Sequence, residues 1–147
     1  MDICEFKNLI WNYTRQISEN VNNVFCPICE EQGVTMLQSR ILLELHLHEI
    51  HTIGSLATGI YVAETNASAM CKKLENQGLL RRFRDCQDER VVKVRLTDQG
   101  AALARAIDLA MNQKFDSIFQ DSDANFQEII KGLQKFNALL QKLSQAE

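Results

Sequence analysis

The sequence predicts a mainly α-helical, α+β fold with one short β-hairpin past its middle, and three observations predict it. Apolar residues recur at steps of three and four along most of the chain, the spacing that lines one face of an α-helix. The pattern switches to strict alternation once, at Arg90-Val91-Val92-Lys93-Val94-Arg95-Leu96, as a half-buried strand requires. One proline and six glycines in 147 residues leave little chain for loops.

The elements follow in order. Residues 3 to 24 carry Ile3, Phe6, Leu9, Ile10, Tyr13, Ile17, Val21 and Val24 at helical spacing. The stretch from Cys26 to Val34 breaks that pattern, and Pro27 and Gly33 mark a loop there. Thr35 with Gln38 three residues on is a capping box, so a second helix starts at that point. Its expected buried face is Met36, Leu37, Ile41, Leu42, Leu45 and Leu47, and it should end between His48 and His51. Thr52 can cap a short third helix with Leu56, Ala57 and Ile60 inward. A turn over Tyr61 to Glu64 leads into a fourth helix, roughly Glu64 to Gln77, which Gly78 stops in a left-handed conformation.

Leu80 to Arg84 should then pair with the alternating strand across the charged turn Asp85-Cys86-Gln87-Asp88-Glu89. Thr97 or Asp98 caps a long helix carrying Leu103, Ile107, Met111, Ile118 and Phe119. After a polar break at 121 to 125 comes a last amphipathic helix, with Phe126, Ile129, Ile130, Leu133, Phe136, Leu139, Leu140 and Leu143. The middle of this succession is a winged helix-turn-helix with a two-stranded wing. The whole reads as a single domain, 1-147, with the winged helix over 34-99. The outer helices, 1-24 and 100-147, are too apolar to stand alone, which points to a partner subunit.

Charge locates a function. Between residues 71 and 95, eight basic residues face four acidic ones, leaving +4 on a chain whose total is −3. A local basic surface on an acidic body suits a phosphate footprint, because binding follows local potential. No apolar run approaches the ~20 residues that span a membrane. The acidic, amphipathic N-terminus has no signal-peptide organisation; a cytoplasmic protein is expected, without membrane partners. No Ser/His/Asp set, phosphate loop or paired carboxylate site stands out, so neither an enzyme nor a cofactor is expected. A thiol oxidoreductase would rest on Cys26-Pro27-Ile28-Cys29 alone, without the preceding strand that such chemistry needs.

Four pieces in order carry a family resemblance: Leu56-Ala57, Leu74-Glu75-Asn76-Gln77-Gly78-Leu79-Leu80, Asp85-x-x-Asp88-x-Arg90, and Leu96-Thr97-Asp98-x-x-Gly100. With the Thr35-x-x-Gln38 helix start, the chain resembles the MarR family of bacterial transcriptional regulators over almost its whole length. The resemblance implies a homodimer with interlocking terminal helices, seated on a pseudo-palindromic double-stranded DNA operator. It also implies release by a small-molecule effector, and in some members by oxidants or zinc.

Helical geometry divides the fourth helix. Ala67, Met70 and Leu74 face the core, while Thr65, Ser68, Ala69, Lys72 and Asn76 lie opposite. Thr65, Ser68, Ala69 and Lys72 would enter the major groove, with Asn66 at the flank to reach a base or cap the helix. At the wing, the family pattern puts an arginine in the minor groove, here Arg90. Asp88 could hold its fork, and Arg82 and Arg84 would contact the DNA backbone.

Cys26 and Cys29 leave three readings open: packing, a redox pair, or half of a metal site completed by His46, His48 or His51. Cys71 reads as packing, Cys86 as exposed in the wing turn, and an odd count argues against a disulfide framework. The expected function is a dimeric operator-binding regulator, most often a repressor. The alternative is a winged-helix protein-interaction module without specific DNA binding.

Overall fold

The first helix runs further than its periodicity predicts. In the computed structural model, which describes residues 1–120 and 125–145, α1 spans Ile3–Glu31 and carries Pro27 inside it. The expected loop at Cys26 to Gly33 is therefore corrected: only its end is a turn. An internal proline costs about 3 kcal/mol by removing one N–H and crowding the preceding turn. Burial of Ile28 and Cys29 directly after it, in the core, offsets that cost. The stop is Gly33, at φ +71, with the Cys29 carbonyl accepting from the amides of Gln32 and Val34.

Helix α2 (Met36–His48) opens on the expected capping box. The Thr35 hydroxyl accepts from Gln38 N at 3.2 Å, and Gln38 Oε1 accepts from Thr35 N at 2.8 Å. Thr35→Ala should cost about 1 kcal/mol, read as a lower urea midpoint at unchanged slope. Ile41, Leu42 and Leu45 are buried and Met36 and Leu37 half-buried or nearly so, whereas Leu47, expected inward, is exposed. Leu47 is turned well away from Leu45, two residues and about 200° along the helix.

A short strand, β1 (Ile50–Thr52), follows, where the sequence predicts none. Helix α3 (Ile53–Gly59) is capped by Thr52, and α4 (Glu64–Asn76) ends before Gly78 at φ +74. Tyr61, at φ +56, makes the turn between them without a glycine. Strands β2 (Leu80–Arg84) and β3 (Val92–Leu96) pair antiparallel with Arg82 opposite Val94. β1 joins the other edge of β3, giving the order β1-β3-β2. The mainly helical winged fold is as expected, but its sheet has three strands. Helix α5 (Asp98–Phe119) starts where the Thr97 hydroxyl accepts from Gly100 N at 3.1 Å. Helix α6 (Phe126–Gln145) has no buried residue. The polar break expected at 121 to 125 lies outside the described residues except for Asn125, whose side chain accepts from Glu128 N.

The chain divides into two units, Met1–Met111 and Asn112–Glu147. The first holds the core: Ile41, Leu42 and Leu45 of α2, Leu56 of α3, Leu74 of α4, Leu80 and Val94 of the sheet, and Ile107 of α5. In the second, the rings of Phe119 and Phe126 stack with centroids 4.3 Å apart.

Candidate nucleic-acid interface

Helix α4 is amphipathic by placement. Ala67, Cys71 and Leu74 are fully buried, a stripe at i, i+4 and i+7 that presses the helix into the core. Met70, expected on that face, is only half-buried, because Cys71 takes the central place. The opposite face is open: Thr65, Asn66, Ala69, Lys72 and Asn76 are exposed and Ser68 half-exposed.

Thr65, Ser68, Ala69 and Lys72 line a groove of about 960 Å³ together with Arg90, which reaches it from the wing. Five of the residues expected to touch DNA thus share one concave surface. Asn66 lies outside it on the flank of α4, where its amide donates to the Ala63 carbonyl at 3.0 Å. Sequence reasoning misses two contributors. Glu64 opens the groove from the first position of α4, and Thr52 to Gly54 line it at the start of α3. The unforeseen strand β1 is what holds the latter there.

The wing tip is organised by carboxylates. Asp88 Oδ1 accepts from the backbone amide of Arg90 at 3.0 Å and from its Nε at 3.1 Å, while Oδ2 lies 3.5 Å from Nη2. The pair aims a guanidinium that is 91% exposed. Lys93 holds Asp85 at 3.0 Å, and this hydrogen bond, with that of the Gln87 amide, keeps the Asp85 carboxyl below its usual range. Arg84 Nη1 donates to the Glu89 carbonyl at 2.8 Å, bracing the turn.

Arg82 is already engaged. Its backbone amide and its Nε donate to the two oxygens of Glu75, at 3.0 and 2.8 Å. This two-pronged clamp joins the end of α4 to β2, so the recognition helix and the wing are held as one piece. The Arg82 amide, then its guanidinium, hold the Glu75 carboxyl below its ordinary 4.5. A carboxylate with a depressed folded-state pKa stabilises the fold above the unfolded value, and that contribution fades as pH falls through the lowered one. Thermal stability should therefore be flat near neutrality and fall below about pH 4.5. Glu75→Gln should show a lower plateau at neutral pH and a shallower acid limb, measured as melting temperature against pH.

The cysteines are all free. Cys26 is half-buried on α1, and Cys29 is buried against α2, its Sγ 3.3 Å from Ser39 Oγ and 3.5 Å from Met36 Sδ. Both sit in a helix rather than the expected loop. Burial pushes the Cys71 thiol up to about 11, which keeps it protonated and unreactive. Cys86 is exposed in the wing turn, as expected. His48 and His51 flank Glu44 of α2, with Nε2 to Oε1 distances of 3.8 and 3.4 Å. Among the described residues, no group of His, Cys, Asp and Glu is placed to hold a metal ion.

Comparison with known proteins places this architecture. The family described as "Transcriptional regulator SarA/Rot" matches residues 23–107, which includes α2, the whole sheet and the recognition helix. The chain belongs to the SarA/Rot family. The organic hydroperoxide resistance transcriptional regulator of Bacillus subtilis is 32% identical over 93 residues, 63% of each chain. The chain thus spans just under two thirds of that relative's length. Among solved structures, reduced AbfR bound to DNA superposes with a TM-score of 0.83 at 21% identity, covering 97% of this chain and 96% of that one. A mutant MarR from Escherichia coli in complex with operator DNA gives 0.77 at 17% identity, covering 92% and 97%. At such identities the two structures establish the fold, and with the family match they bear out the MarR resemblance read from the sequence. Regulators of the SarA/Rot family are not enzymes.

Proposed function

We propose that this SarA/Rot-family chain is a DNA-binding transcriptional regulator, acting as a homodimer on a pseudo-palindromic operator. The observation that carries the reading is the shared groove of α4 and Arg90, with the Glu75 to Arg82 clamp holding its two walls together. Thr65, Ser68, Ala69 and Lys72 enter the major groove, and Asn66 flanks them. Arg90, aimed by Asp88, enters the minor groove, and Arg84 meets the backbone. Arg82 supports docking by fixing the wing, with less of its guanidinium left for phosphate.

Dimerisation is supported by unpartnered apolar stripes on both terminal helices. On α1, Ile3, Phe6, Leu9, Tyr13, Ile17 and Val21 are exposed at steps of three and four. On α6, Ile129, Leu133, Leu140 and Leu143 are exposed on one helical face. Surfaces of this kind are costly in water, and a second copy would cover them. Repression, with release by a small-molecule, redox or metal signal, completes the reading; Cys26 and Cys29 are where a thiol signal would enter. The site of action is the cytoplasm. This is supported by the regulator family, and no described helix is long and apolar enough to cross a membrane.

The test is a gel shift at about 150 mM salt, comparing the gene's own upstream region with random DNA. Equal binding to both sinks specific regulation. Retained binding of a protein partner by Arg90→Ala, with no DNA binding by the wild type, would favour an interaction module instead.

A further inference from the structure

One acidic residue, Glu64, lies on the surface that would meet DNA without an ion-pair partner among the described residues. Glu64 is the first residue of α4 and lines the same groove as Thr65, Ser68, Lys72 and Arg90. Its carboxylate reaches toward the start of α3, with Oε2 3.6 Å from where a Cβ on Gly54 would stand. The neighbouring acids differ: Asp88 holds Arg90, Asp85 holds Lys93 and Glu75 holds Arg82. No ion pair involves Glu64 among the described residues.

We propose that Glu64 is a specificity-determining residue that selects cytosine at one position of each operator half-site. The inference rests on the DNA-binding reading above. A bare carboxylate can only accept hydrogen bonds, and it repels phosphate. In the major groove, guanine presents two acceptors and thymine an acceptor and a methyl, so both reject it. Adenine offers its N6 amino group beside the N7 acceptor, which opposes the second carboxylate oxygen. Cytosine offers its N4 amino group, and Glu accepts from it. The placement suits this role, because the N-terminal residues of a recognition helix are those that contact base edges.

A purely structural role is the competing account. Ala63 at the N-cap makes no side-chain cap bond, so an acid in the first turn could serve only the helix dipole. The two accounts differ in what a substitution does to base preference. The experiment measures affinities of wild type, Glu64→Gln and Glu64→Ala for operator duplexes carrying each of the four base pairs at every half-site position, with melting temperatures alongside. Wild type should prefer cytosine at one position by about fivefold or more. Glu64→Gln should move that preference to adenine, which glutamine reads through N6 and N7. Glu64→Ala should lose it, binding duplexes with each of the four base pairs at that position about equally. Variants that keep the wild-type preference at every position, with or without a lower melting temperature, overturn the proposal. A wild type with no preference between operator and random DNA overturns the DNA-binding reading as well, so the two failures are distinct.

Discussion

Arg90→Ala is expected to weaken operator binding roughly tenfold to a hundredfold while leaving the fold intact. The side chain is 91% exposed and is held by Asp88, two residues away. Exposed pairs of this kind are worth about 0–1 kcal/mol, so stability should hardly change. Binding differs because a guanidinium in the minor groove meets a strongly negative potential. Losing one specific arginine contact costs about 1–3 kcal/mol. Fluorescence anisotropy over a salt series is the measurement. The slope of log affinity against log salt should also fall by about one, as one phosphate-side counterion release is lost. Asp88→Ala should give a smaller loss in the same direction, because the fork is kept but no longer aimed. An Arg90→Ala protein that binds operator like the wild type would remove the wing from the interface.

Gly100→Ala is expected to destabilise the first unit by about 3 kcal/mol, the upper range for overpacking a close contact. A Cβ at this position would stand 1.8 Å from the Leu79 carbonyl oxygen and 2.8 Å from its carbon. Backbone cannot step aside here, because the same carbonyl accepts from Thr97 N at 3.1 Å. The Thr97 hydroxyl in turn donates to the Gly78 carbonyl at 2.6 Å and accepts from Gly100 N. The end of α4 and the start of α5 are thus stitched together through Thr97, and no side chain fits in the seam. Urea denaturation followed by circular dichroism would read the loss as a lower midpoint. A midpoint within error of the wild type would mean that the seam opens at little cost. Since the seam also fixes where β2 begins and β3 ends, the variant should bind operator more weakly even where it remains folded.

These two residues mark different kinds of legibility. Gly100 belongs to the motif Leu96-Thr97-Asp98-x-x-Gly100, visible in the sequence, yet its reason is visible only once Leu79 is seen against it. Arg90 and Asp88 are legible both as a motif and as a pair, because residues two apart in a tight turn must be neighbours. Arg82 is legible as a base in a basic strand but not as a partner of Glu75, seven residues away across the Gly78 stop. Glu64 gives no signal of its own, because an acid at a helix start is usually explained by the helix dipole alone.

What the sequence by itself determined is what local chemistry controls. The capping box at Thr35, the helical stop at Gly78, the amphipathic face of α4 and the alternation of β3 depend on residues within a few positions of each other. Only the tertiary structure decided the rest. Pro27 stays inside α1 because its neighbours Ile28 and Cys29 find a core to enter. Ile50 to Thr52 become a strand because β3 has an unpaired edge within reach, which three residues of sequence cannot announce. Arg90 of the wing lines the same groove as Glu64, and it is held by Asp88 rather than by Glu64. Each of these turns on pairing between distant segments, whose free energy is set by what else lies nearby rather than by the residues themselves.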